Sequence, residues 1–230
     1  MTEVEPIQKL NCIPPLCAAI KQDTVLMVKN FIAINGMDAD RIKSGQAQLR
    51  QLDEEMKELF DAAAAKDDKE VVDAIADVGF VITSLELLGY ETLHVRNLYN
   101  LLVSSFALNN HLAFAAIEMA AVSNLTKADY SAEDAELTAR DYATIGVQTQ
   151  TVEIELPSGV TAFVTKVLED CTDMTGKEYF AGKVLKSTTR YEPARFAELA
   201  AQVAIDYELF EYAVGSAGPV LFHGVENNEG

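Results

Sequence analysis

A mainly α-helical bundle carrying a small β-hairpin near the C-terminal third is the fold this sequence predicts, and three observations lead there. Residues 49–88 hold two stretches with apolar residues at helical spacing, Leu52, Met56, Leu59 and Phe60 on the first and Val72, Ile75, Ala76 and Phe80 on the second. The link between them, Ala62 to Asp68, reads as a helix end and a short turn, which makes the two helices antiparallel neighbours. Residues 147–156 and 160–167 instead alternate with period two on either side of Pro157-Ser158-Gly159, the pattern of a strand, a turn and a second strand.

In chain order, residues 1–22, with Pro6, Pro14 and Pro15, read as an extended arm. Asp23 or Thr24 can cap a helix that runs to about Ile34 and stops at Asn35-Gly36. Residues 37–46 read as a loop. The helix bearing Glu54 to Glu58 follows, then one from about Lys69 to Leu88, ended near Gly89. Two apolar stretches, Val95–Leu108 and Leu112–Val122, complete a bundle of five helices before residue 125. Ser131-Ala132-Glu133-Asp134 resembles a capping box that starts a helix to about Ala143. Lys183 to Lys186 reads as a short strand and Pro193 to Tyr212 as a C-terminal helix. The domain reading is an arm over 1–22, a helical domain over 23–212 that includes a hairpin or lid insertion over 144–187, and a tail over 213–230.

Composition narrows the partners. With 230 residues, 49% of them apolar, the chain can bury a sizeable core. Its formal charge of −18, with no basic stripe to offset it, repels nucleic-acid phosphates and anionic membrane, so the expected partner is a small molecule rather than a nucleic acid polymer or a membrane. No run reaches the ~18 consecutive apolar residues of a membrane helix, and Met1-Thr2-Glu3-Val4-Glu5 lacks the basic start of a signal peptide, so the expected location is cytoplasmic. Cys12, Cys17 and Cys171 have no Cys-x-x-Cys spacing and read as free thiols. His94, His111 and His223 form no His-Glu-x-x-His motif, and Gly215-Ser216-Ala217-Gly218-Pro219 lacks the ending of a phosphate loop.

The chemistry concentrates in residues 54–77. Glu55 with Glu58, and Asp73 with Asp77, are three and four residues apart, so each pair projects two carboxylates from one helix face. Charged residues at this spacing are usually solvated surface. Asp, however, is a poor residue for a helix interior, and here two of them flank Ala-Ile-Ala beside an apolar run. Facing carboxylates inside a bundle repel unless a cation compensates them. An all-oxygen set suits Mg²⁺ or Mn²⁺ better than zinc, so Glu55, Glu58, Asp73 and Asp77 read as metal ligands.

Glu54-Glu55-Met56-Lys57-Glu58-Leu59 followed by Asp73-Ala74-Ile75-Ala76-Asp77-Val78 resembles the acidic signature of the MazG-like all-α nucleoside triphosphate pyrophosphohydrolases. Val28-Lys29-Asn30-Phe31 with Asn35-Gly36, Val122-Ser123-Asn124-Leu125-Thr126-Lys127, and Gly182-Lys183-Val184-Leu185-Lys186-Ser187 with Tyr191 and Pro193 are similar to further motifs of the phage-type members, in the same order. The chain departs from many members at Ala74, where they place a Glu three residues before the last Asp; the role is carried to Asp73, which shares a face with Asp77.

The resemblance implies a MazG-like helical bundle, a homodimer or homotetramer in which the apolar helices at 95–122 would serve, and hydrolysis of a nucleoside triphosphate, preferentially a deoxynucleotide, to the monophosphate and pyrophosphate. Mg²⁺, or Mn²⁺, on Glu55, Glu58, Asp73 and Asp77 would neutralise the triphosphate. Glu54, four residues before Glu58, is the candidate general base, so the catalytic set is Glu54, Glu55, Glu58 and Asp77. Asn124, Lys127, Lys183 and Lys186 would close over the nucleotide, with Tyr191 stacking on base or sugar. The setting it implies is a nucleotide-cleansing or pool-reshaping enzyme, in the host cytoplasm if encoded by a phage. A phosphoribosyl-ATP pyrophosphohydrolase and a catalytically silent nucleotide- or metal-binding regulator are the alternatives.

Overall fold

A computed structural model describes residues 14–105 and 110–217. Seven helices come first: α1 (Leu16–Ala19), α2 (Gln22–Asn35), α3 (Arg41–Ala65), α4 (Asp68–Leu87), α5 (Leu93–Ser105), α6 (Asn110–Leu125) and α7 (Ala132–Thr144). Strands β1 (Thr149–Glu155) and β2 (Thr161–Val167) follow, then the two-residue strands β3 (Cys171–Thr172) and β4 (Glu178–Tyr179), and helices α8 (Ala197–Ala200) and α9 (Tyr207–Ala217). The expected mainly helical fold with a small antiparallel hairpin is the one observed. Among the described residues no helix is long and apolar enough to cross a membrane.

The α3–α4 hairpin is the frame. Only Lys66 and Asp67 separate the two helices. Lys66 adopts the left-handed conformation (φ 55°), its N–H bonds to the Ala63 carbonyl and that of Asp67 to Ala62, while the Asp67 carboxylate accepts from the Glu70 N–H and starts α4. α4 lies at the centre, because apolar residues surround it on several sides. Ile75, Val78 and Ile82 pack with Leu52 and Leu59 of α3 and with Leu102 of α5. Val72, Ala76 and Phe80 pack on the other side with Val28 and Ile32 of α2 and Ala120 of α6. Each fully buried Leu or Ile here contributes about 1.5–3 kcal/mol. Gly79 permits a close approach of α5 and α6: a Cβ there would lie 2.6 Å from both Ile117 Cδ1 and Tyr99 Oη.

The hairpin pairs Thr149 with Val167 through Glu155 with Thr161. Leu156, Ala162 and Val164 seat it on Ile34 and Ala128, and the Asn30 side chain bonds to Ser158 in its turn. The distal hairpin is thereby fixed to α2, next to the helices that carry the acids.

Four details depart from the sequence reading. Leu16 to Ala19 are helical rather than extended, because the Glu86 carboxylate accepts the Leu16 and Cys17 N–H groups at 3.0 and 2.8 Å; the rest of the expected arm, up to residue 13 and with Cys12, lies outside the described residues. The loop expected over 37–46 is shorter, since Asp40 caps α3 through the Lys43 N–H, and Gly45 inside that helix leaves room for the Tyr90 ring. Lys183 to Lys186 give a single bridge, Lys166 to Val184, instead of a strand. The helix expected over 193–212 is broken between α8 and α9, where Asp206 caps the Leu209 N–H, and α9 runs on to Ala217. The tail from 218, with His223, lies outside the described residues.

Candidate active site

Glu55 is the acid most deeply placed on α3, 8% exposed, while Glu54 and Glu58 beside it are exposed. The Gln51 amide, one turn earlier, donates to the Glu55 carboxylate. Asp73 and Asp77 are half-buried on α4, in a helix whose other faces are almost wholly apolar and buried. Ala74, where many MazG-like sequences carry Glu, is 5% exposed and packs in the α3–α4 core. On this helix the acidic face therefore runs through Asp73 and not through position 74.

The acids act on one another. Burial pushes the Glu55 carboxyl up, the Gln51 bond opposes this, and the charges of Glu58, Asp73 and Glu54 add to the rise. Asp73 is raised by burial and then by Glu70, with Lys69 opposing and Glu58 contributing. Asp77 is raised from 3.8 to about 7, by burial first and then by Glu55 and Asp73, with Lys127 pulling it down. A pair of antiparallel helices has gathered the five acids Glu54, Glu55, Glu58, Asp73 and Asp77 into one field, with Glu70 acting on Asp73 as a sixth.

Lys127, in the turn after α6, ties that field to a basic one. Burial pushes its ammonium below the usual lysine value and Lys186 adds to this, whereas Asp77 and Glu55 favour its charged form and Lys183 disfavours it. Its Nζ donates to Asn124 Oδ1 at 2.6 Å. Lys186 Nζ lies 4.0 Å from the Tyr191 ring centre and 2.9 Å from its hydroxyl. Lys183 is turned over the Tyr179 ring at 5.8 Å. The structure thus brings Glu55, Glu58, Asp73 and Asp77 together with Lys127, Asn124, Lys183 and Lys186, and joins Tyr191 through Lys186. Glu54 sits at the rim, acting on Glu55.

By donor chemistry the carboxylate set fits a hard divalent cation: oxygen only, repulsive, and partly desolvated. The side chains share a field without forming a coordination shell, for among the described residues no three His, Cys, Asp or Glu side chains are close enough to share an ion.

Sequence reasoning missed Gln51, Glu70 and Lys69, all within one or two helical turns of the acids and therefore legible from spacing. It also missed Arg190, whose guanidinium stacks 4.6 Å from the Tyr130 ring; no local pattern announces that contact.

A helical hairpin with acids on both arms, with lysines from a later segment beside it, sets opposite charges next to one another in one site. Residues 35–103 match the phosphoribosyl-ATP pyrophosphohydrolase family, a stretch that starts at the end of α2, contains all of α3 and α4 with the five acids, and ends within α5. The matched stretch is under a third of the chain; over it the chain is similar to that family, and the likeness supports a nucleotide pyrophosphohydrolase type of function. Asn124, Lys127, Lys183, Lys186 and Tyr191 lie beyond the matched stretch. No curated protein and no solved structure gives a significant match.

Proposed function

We propose that this protein hydrolyses a nucleoside triphosphate, preferentially a deoxynucleotide, between its α and β phosphates, in a phage-type setting where it cleanses or reshapes the nucleotide pool. The observation that carries this reading is Lys127, which feels Asp77 and Glu55 on one side and Lys186 and Lys183 on the other. A triphosphate with its metal needs both fields at once.

Glu55, Glu58, Asp73 and Asp77 would hold Mg²⁺ or Mn²⁺, which supplies neutralising charge for the triphosphate and lowers the pKa of bound water. Lys127 and Lys186 hold non-bridging phosphate oxygens as point charges. Asn124, already bonded to Lys127, fixes that ammonium. Tyr191 stacks on base or sugar. A water attacks the α phosphorus, the bond to the α–β bridging oxygen breaks, and pyrophosphate leaves with that oxygen. Glu54, exposed at the rim, accepts the proton of the water. Exposed Leu26, Leu101 and Val122 on α2, α5 and α6 support assembly as a homodimer or homotetramer, and the site of action is the cytoplasm.

Pyrophosphate release from each common ribo- and deoxynucleoside triphosphate and from phosphoribosyl-ATP, with Mg²⁺, Mn²⁺ or EDTA, tests the reading. Metal-dependent release from one or a few triphosphates supports it. Release from phosphoribosyl-ATP alone replaces it with the substrate the family description names. Saturable binding without release points to a silent regulator, the reading that Ala74 favours.

A further inference from the structure

The segment that carries Lys186 and Tyr191 has little regular structure, yet it is sewn to the Lys127 turn by a dense set of bonds. Asp129 is at the centre, 1% exposed, two residues after Lys127. Its Oδ1 accepts a short bond from the Ser187 hydroxyl and a longer one, 3.4 Å, from Thr189 Oγ1. Ser187 Oγ in turn accepts the N–H groups of Thr189 and Arg190 at 3.3 and 3.0 Å, so its donor and both acceptor directions are used. The Ser187 N–H donates to the Lys127 carbonyl at 2.9 Å. Backbone bonds in both directions between Asp129 and Phe163, at 3.0 and 2.8 Å, anchor the same residue to β2.

A second tie lies a few residues on, where Thr126 Oγ1 accepts the Glu192 N–H at 3.0 Å and Ser123 Oγ donates to the Glu192 carbonyl at 2.9 Å. Tyr191 lies between the two ties and Lys186 immediately precedes the first, while Lys127 lies between Thr126 and Asp129 in sequence. A buried carboxylate can be held this way only if its acceptors are occupied, because an unpaired one is strongly disfavoured out of water. The arrangement fixes the relative placement of two cations that no helix or strand fixes.

We infer that Asp129 and Ser187 form a latch whose role is to set Lys186 and Tyr191 against Lys127, making Asp129 a positioning residue for the triphosphate. This rests on the phosphate-binding reading of Lys127 and Lys186 given above. Neither residue touches substrate. Their effect passes through the lysines.

The test is steady-state pyrophosphate release with the preferred triphosphate and Mg²⁺, for Asp129→Ala, Ser187→Ala and Asp129→Asn, each also in a Lys186→Ala background. Asp129→Ala and Ser187→Ala are expected to raise KM about tenfold, the scale of one lost charge-assisted contact, with kcat within about threefold and partial recovery in Asp129→Asn. In the Lys186→Ala background the added rise should shrink below about twofold, since the residue the latch serves is gone. Unchanged KM, or an equal rise in both backgrounds, overturns the inference and leaves a purely structural bond. If Asp129→Ala does not fold, Ser187→Ala measured the same way decides.

Hydrogen exchange separates this outcome from failure of the functional reading. Should the wild-type protein release pyrophosphate from nothing, the active-site reading fails. The latch then stands or falls on tripolyphosphate affinity and amide exchange. Faster exchange at Ser187, Arg190 and Glu192 in Ser187→Ala, with weaker tripolyphosphate binding and an unaltered α3–α4 hairpin, supports it; no change in either overturns it.

Discussion

Replacing Asp77 by Asn removes a charge that the folded protein holds at a disadvantage. The folded-state pKa is raised from 3.8 to about 7, so between those values the native state binds a proton that the unfolded chain has released. Stability then falls as pH rises from about 4 to about 7, is constant above, and carries no penalty from this group below about pH 4. A rise of that size corresponds to about 4 kcal/mol at 1.36 kcal/mol per pH unit. Part of it is repulsion shared with Glu55 and Asp73 and part is screened by water at a half-buried group, so about 2 kcal/mol is the gain expected for Asp77→Asn at pH 8 in EDTA. For a chain of this size that is roughly 4–8 °C in Tm. Thermal unfolding of both proteins at pH 8, 5 and 3.5 in EDTA is the assay. The advantage should be largest at pH 8, smaller at pH 5 and gone at 3.5. Adding Mg²⁺ should raise the Tm of the wild type and not of the variant. An Asp77→Asn protein less stable than wild type at pH 8, or a gain independent of pH, would refute the account of why this carboxyl is raised.

Lys127→Met leaves Asp77 and Glu55 without their nearby cation; nucleotide KM should rise by about tenfold or more, measured by pyrophosphate release, and an unaltered KM would remove Lys127 from the site. Gly79→Ala drives a Cβ to 2.6 Å from Ile117 and Tyr99 and should cost about 1–3 kcal/mol by forcing α4 from α6; urea unfolding with no loss would show that the contact yields freely. Glu86 is both hydrogen-bond acceptor and ion-pair partner to Arg96, with side chains 5% and 6% exposed at 3.0 Å. Burial raises its pKa, but the Cys17 and Leu16 N–H groups, Thr92 and Arg96 outweigh it and hold the carboxyl below its ordinary value. That stability is present above the unfolded-state pKa and is lost as pH falls through the folded one. Glu86→Ala should cost about 3–5 kcal/mol at pH 7 and flatten the acid limb of the stability profile; an unchanged acid limb would refute it.

The sequence determined the elements whose signals are local. Helical spacing located α2 and α4 to α6 within a few residues and a capping box located α7, while the start of α3 at Arg41 fell inside the expected loop; period-two alternation located β1 and β2, and the acids of the α3–α4 pair were legible because residues three and four apart on a helix must share a face. The short link from Ala65 to Asp68 then required antiparallel helices, which is enough to bring Glu55 and Glu58 opposite Asp73 and Asp77. Tertiary structure decided the rest, because it depends on contacts between residues far apart in the chain. That Leu16 to Ala19 coil into a helix depends on Glu86, roughly seventy residues on. The small strands β3 and β4 rest on Asp173, whose side chain bonds to the Thr175 and Lys177 N–H groups. The break between α8 and α9 interrupts a stretch whose composition reads as one helix. Most of all, the sequence supplied Lys127 and Lys186 only as two basic residues in separate motifs; Lys127 comes near Asp77 and Lys186 near Lys127 where a buried carboxylate at Asp129 bonds a serine 58 positions later. Periodicity encodes which face a side chain takes on its own element. Which faces meet is fixed by the packing of whole elements and by polar groups that, once buried, must find a partner wherever the chain brings one.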